Sequence, residues 1–191
     1  MPSGKSTRRR GTGGSRRTGW RSDAGPSPLP PDWIELLVLL HRHGVEHIVV
    51  GAYAVIQHTE PRSTEDLDVF VRPSRANTAR LRRALRDFMG EEAATGAIAL
   101  YRPGTVLMLG RPPWRIDILN RVDGLRFETA WRTRVLVDLG QVQPAVPDLN
   151  SMIRAKRAVV LRDRPEPKGS QDRADLARLL FARDRARRSG R

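Results

Sequence analysis

The period of the apolar positions changes several times along the chain, and each change marks an element. After Pro30 and Pro31 the residues Leu36, Leu37 and Leu40 recur at helical spacing, which predicts a helix from Pro31 or Asp32 to His43 with Gly44 as its stop. Val45–Val50 is short and β-branched and reads as a strand, after which Gly51 turns the chain into a short helix, Ala52–His58. A polar loop, 59–65, contains Pro61. Asp66–Val71, which opens with two acids spaced by an apolar residue, then reads as a strand closed by Pro73 and Ser74. Ser74 is a good N-cap for a helix Arg75–Met89, in which Leu81, Leu85 and Phe88 share a stripe. Ala97–Tyr101 and Thr105–Leu109 read as a hairpin about Pro103-Gly104. Trp114–Leu119 is a further strand, 127–133 a short helix and 135–139 a strand, and two helices near 148–161 and 172–188 end the pattern. Strands interleaved with helices, plus one hairpin, predict an α/β (α+β) fold with a mixed sheet flanked by helices.

Charge divides the chain differently. Of its 191 residues, 35 are Lys or Arg and 21 are Asp or Glu, a formal net charge of +14. Residues 1–29 hold seven of the basic residues and one acid, and 182–191 hold five and one, so the body is nearly balanced. The expected organisation is a disordered basic tail at 1–29, a core at 30–147, C-terminal helices at 148–181 packing on that core, and a basic tail at 182–191. Such tails suit nucleic-acid phosphates, or serve only to keep the protein in solution. Gly4-Lys5-Ser6-Thr7 is half of a phosphate-binding loop and lacks its leading glycine. The absence of cysteine excludes disulfides, thiol catalysis and cysteine-ligated metals. No apolar run reaches the length of a membrane span and no apolar segment follows the basic N-terminus, so a cytoplasmic protein with no membrane partner is expected.

The chemistry concentrates in two segments. In Asp66-Leu67-Asp68 the two carboxylates project from one face of a strand, where they repel each other unless cations lie between them. Hard oxygen ligands of this kind suit Mg2+. Asp117, in Arg115-Ile116-Asp117-Ile118-Leu119, is a third acid on an apolar strand and needs a partner or a metal. Taken singly each Asp reads as a solvated or salt-bridged residue; taken together, behind a glycine turn, they read as a metal site. His41, His43 and His47 read as surface or helix-end residues, and His58 as a possible rim of the site. Arginine outnumbers lysine 32 to 3, and only Lys156 and Lys168 lie in the body, which marks Lys156 as a point charge kept for a purpose.

Gly51-Ala52, thirteen residues, then Asp66-Leu67-Asp68 and a later strand acid is similar to the signature of the polymerase-β-type nucleotidyltransferase superfamily. More narrowly, the segment 49–71 resembles the AbiEii and MenT nucleotidyltransferase-like toxins, with Arg62 and Thr64 before the acid pair, Asp117 as the third acid, and Lys156 ahead of Asp172 and Asp175. The resemblance covers roughly 32–181. It implies a nucleotidyltransferase core that transfers a nucleoside monophosphate from an NTP to an acceptor hydroxyl, an RNA (tRNA) 3′ end, as a toxin restrained by an antitoxin. Asp66, Asp68 and Asp117 would bind two Mg2+ ions, with Asp117 deprotonating the acceptor. Gly51, Ala52, Arg62, Thr64, Lys156 and Asp172 would serve the nucleotide. The chain departs from the pattern at Ala52, where Gly or Ser is usual, and at Gln171, where Lys is usual. Those departures keep open a catalytically degenerate module that binds nucleic acid or a partner, and transfer to a protein or small-molecule hydroxyl is the other enzymatic alternative.

Overall fold

A computed structural model describes residues 29–111 and 114–189. The basic segment at 1–28 and the half-motif at Gly4 lie outside them. The first described element, α1 (Pro31–Arg42), places Pro in its first turn, where a missing N–H costs nothing, and buries Trp33, Leu36, Leu37 and Leu40 along one stripe. Gly44, at φ +64°, ends it and leads into β1 (His47–Val50). Then come α2 (Gly51–Ile56) and β2 (Asp66–Val71). Helix α3 (Arg75–Met89) follows, its Ser74 side chain accepting from the Asn77 N–H.

The chain next forms α4 (Glu91–Gly96) and a 3-10 turn, Ala97–Tyr101, before β3 (Val106–Leu109) and β4 (Arg115–Leu119). The hairpin expected over 97–109 is therefore absent. Its first arm is helical because the Asn120 side chain gathers the backbone there: it donates to the Leu100 and Arg102 carbonyls and accepts from the Gly104 and Thr105 N–H groups. The second arm does form a strand, but it pairs with β4. Beyond lie α5 (Phe127–Thr133), a small sheet of β5 (Val135–Leu136) with β6 (Ala145–Val146), and helices α6 (Leu149–Val160) and α7 (Lys168–Ser189). Helix α7 carries most of the C-terminal basic segment as ordered helix. No helix among the described residues is long and apolar enough to cross a membrane.

The main sheet has the order β1-β2-β4-β3, antiparallel at β1/β2 and β3/β4 and parallel at β2/β4. Leu67, Val69 and Val71 face one way and join Leu36, Leu40, Leu81 and Leu85 in the larger apolar cluster, which covers that side with α1 and α3. On the other side Ile48, Val50 and Phe70 pack with Phe127, Ala130 and Ala155. That second cluster covers only part of the face. The remainder, where Asp66, Asp68 and Asp117 stand, opens into a cavity.

Candidate nucleotidyl-transfer site

The strand register assembles the acids. Asp68 is paired with Asp117 across the parallel β2/β4 ladder and with Val50 across β1/β2, and Asp66 is paired with Arg115. Partners in register project from the same face, so three carboxylates from two central strands meet on the open side of the sheet. The cavity they line has a volume of about 580 Å3 and is also bounded by the α2 turn, the 62–65 loop and one side of α6 and α7. Gly51, Ala52, Arg62, Thr64, Asp66, Asp68, Asp117, Lys156 and Asp172, the residues singled out in the sequence, all line it. His58 does not; its Nε2 donates to the Pro147 carbonyl at 2.7 Å and ties α2 to the segment before α6.

The Asp68 carboxyl is deeply enclosed. Burial first, and then the charges of Asp66 and Asp117, push its carboxyl up to about 7, against a smaller opposing pull from Lys156 and Arg115. It accepts no hydrogen bond among the described residues. Its Oδ2 instead lies against the backbone of Gly51: a Cβ built there would stand 1.8 Å from that oxygen. Gly51 also sits at φ +64°, a region L side chains rarely enter. Gly51→Ala therefore has to displace the Asp68 carboxylate and strain the turn together. We expect it to lower the melting temperature, at a cost of roughly 1–2 kcal/mol. Thermal unfolding checks this, and a wild-type melting temperature would show that the close approach has no role.

Asp66 and Asp117 have a partner the sequence reading missed. Arg115 forks onto Asp117, with Nε 2.8 Å from Oδ1 and Nη2 2.9 Å from Oδ2, and its Nη2 also reaches Asp66 Oδ2 at 3.2 Å. Arg115 and Asp117 are two apart on one strand, so the alternation that aligned Asp66 with Asp68 aligns this pair as well. Asp66 also accepts from the Thr64 hydroxyl at 3.2 Å. With Arg115 between them, no three acidic or histidine side chains among the described residues converge as ligands on one point. The donor chemistry fits Mg2+ all the same: hard carboxylate oxygens, with the Asp68 carboxylate buried beside two other acids and lacking a donor of its own.

The cations expected at the nucleotide are partly engaged. Arg62 grips Asp175 with Nε and Nη2 at 3.0 and 2.9 Å. Lys156 Nζ lies 2.9 Å from Asp172 and 2.8 Å from Asp175, and Arg164 completes the row at 3.3 Å from Asp172. This network joins the loop before β2 to α6 and α7. Lys168 and Arg121 line the cavity without an ion pair among the described residues. In all, six basic and seven acidic side chains line it, so its wall alone does not neutralise a polyphosphate.

No protein-family model matches the sequence, and a search of curated proteins finds no match. Among solved structures the chain is similar to an antigenic nucleotidyltransferase-like protein from Paracoccidioides brasiliensis. The TM-score is 0.52 at 13% identity, over 81% of this chain and 78% of that one. The fold is thus nucleotidyltransferase-like, a mixed α+β core with the three acids on its central strands.

Proposed function

We propose that this protein is a Mg2+-dependent nucleotidyltransferase of the AbiEii/MenT kind, which moves a nucleoside monophosphate from an NTP to the 3′ hydroxyl of an RNA such as tRNA. In this reading it acts in the cytoplasm as a toxin whose antitoxin is a separate protein. One observation carries the enzymatic part: Asp66, Asp68 and Asp117 stand together on adjacent parallel strands, over a glycine whose backbone touches the Asp68 carboxylate. A nucleotidyltransferase-like fold supports the class. The RNA acceptor and the toxin role rest on the sequence resemblance.

Each residue has a task in that chemistry. Asp66, Asp68 and Asp117 would hold Mg2+, which supplies positive charge to the attacking and leaving oxygens and offsets the triphosphate charge that the balanced cavity wall leaves over. The acceptor oxygen forms its bond to the α-phosphorus as the bond to the β-phosphate oxygen breaks, releasing pyrophosphate. Asp117, at the β3 side of the site, takes the acceptor proton. The bare Gly51 backbone would let the phosphates approach closely, and Lys156 and Lys168, which both line the cavity, would offset charge on the β- and γ-phosphates. Arg115 holds Asp66 and Asp117 in place, and would have to give them up for Mg2+ to bind there.

Arg115 also favours a second reading. A guanidinium that already pairs with two of the three acids is what a degenerate site needs, and Ala52 and Gln171 agree with it. The same fold would then bind nucleic acid or a protein without chemistry. Each of the four α-labelled nucleoside triphosphates, incubated with Mg2+ and total tRNA, separates the readings. Transfer to RNA by wild type, abolished by a chelator and by Asp68→Ala, supports the enzyme. Label in a protein or a small hydroxyl compound changes the acceptor, and label in nothing supports the binding module.

A further inference from the structure

The open edge of the sheet leaves two apolar side chains in solvent beside the third carboxylate. Strand β3 is the last in the order β1-β2-β4-β3, and its Met108 is paired with Asp117 and its Val106 with Leu119. Directly opposed residues of an antiparallel pair stand on one face, so Met108 and Val106 extend the face that carries the acids. They are 66% and 57% exposed. Beside Val106 lies a second cavity of about 290 Å3, bounded also by Thr105, Arg121 and Arg162. Arg121 and Asp123 border both cavities. Arg162 is held by Asp123 at 2.9 Å, and Arg121 has no ion pair among the described residues.

We propose, resting on nucleotidyl transfer as the activity, that this edge is the acceptor track and that its occupant is the single-stranded 3′ end of an RNA. The terminal base lies on Met108 and Val106, which brings its ribose hydroxyl to Asp117, and the phosphates behind it meet Arg121 and Arg162. The arrangement alternates what a polynucleotide alternates, an apolar shelf for a ring and guanidinium groups for anions. A thioether is a favourable contact for an aromatic ring, and stacking of this kind tolerates any base. The strand has to be single because a paired end hides its base faces. A small hydroxyl compound would be enclosed by the first cavity and make no use of the second. A protein acceptor would have no phosphates for the two arginines.

The test compares Val106→Ser/Met108→Ser and Arg121→Ala/Arg162→Ala with wild type in two measurements. One is steady-state transfer to total tRNA; the other is equilibrium binding, without triphosphate, to the same tRNA and to a blunt RNA duplex. All four side chains are at the surface, so melting temperatures should match wild type and report that the variants fold. The apolar pair should raise the KM for tRNA about tenfold and leave the KM for the NTP unchanged. The arginine pair should weaken tRNA binding and lower the slope of log K against log salt by about 2. Normal tRNA affinity in both variants overturns the track while transfer by wild type stands, as does equal affinity for the blunt duplex. A wild type that transfers nothing, yet binds tRNA through these four residues, keeps the track and removes the activity. A wild type that binds no RNA overturns the track.

Discussion

Asp68→Asn should make the metal-free protein more stable at pH 8 while removing its activity. The carboxyl has an ordinary value of 3.8 and is pushed up to about 7 by burial and by Asp66 and Asp117. Between those pH values the folded state keeps a proton that the unfolded chain has released, so stability falls as pH rises from about 4 to about 7 and stays reduced above. Asparagine has the same shape and never ionises. Below pH 4 the two proteins should therefore melt together, and above pH 7 the variant should gain roughly 1–2 kcal/mol, about 3–6 °C. Added Mg2+ should raise the wild-type melting temperature at pH 8 and leave that of the variant almost unmoved. Transfer should fall on the order of 1000-fold. A carboxylate kept for structure would behave in the opposite way, with Asp68→Asn melting lower at both pH values. A residue whose removal stabilises the fold is one the fold tolerates for another reason.

Much of this site can be read in the chain because it depends on short-range periodicity. Asp66–Val71 and Arg75–Met89 form the elements their patterns predict, and alternation alone puts Asp66 and Asp68 on one face. The neighbouring position of Asp117 needed the parallel β2/β4 register, which no local pattern encodes, although its apolar strand was evident. Arg115 had a legible signal, since it shares a face with Asp117 two residues on, but it is one of 32 arginines and nothing in composition distinguishes it. The Arg62–Asp175 pair joins residues 113 apart, so no local pattern points to it. At Ala97–Tyr101 the apolar run and the Pro-Gly turn suggest strands, and the decisive residue, Asn120, acts on that backbone from beyond the next two strands. The helix Glu91–Gly96 and the strand Ala145–Val146 are short enough that tertiary packing decides them.

The same ion network carries the largest expected loss of stability. Asp175 is 1% exposed and holds two cations at once, Arg62 through both carboxylate oxygens and Lys156 at 2.8 Å. Asp175→Ala leaves those charges in a poorly solvated place. Breaking a buried pair on one side costs about 3–5 kcal/mol, because the partner is left uncompensated. Lys156 keeps Asp172 and Arg62 can turn partly to solvent, which points to the lower end, near 3 kcal/mol and a fall of about 6–12 °C. Asp175→Asn should lose nearly as much, since the amide preserves the shape and not the charge. The effect on transfer runs through position: Arg62 anchors the loop whose Thr64 donates to Asp66, so a loosened loop lets that carboxylate wander. We expect kcat to fall about 10–100-fold below the new melting point, with the KM for tRNA unchanged. Denaturation curves and steady-state kinetics of the two variants check both parts. Melting within about 1 °C of wild type would mean that solvent reaches the network and that Arg62 and Lys156 need no buried counter-charge.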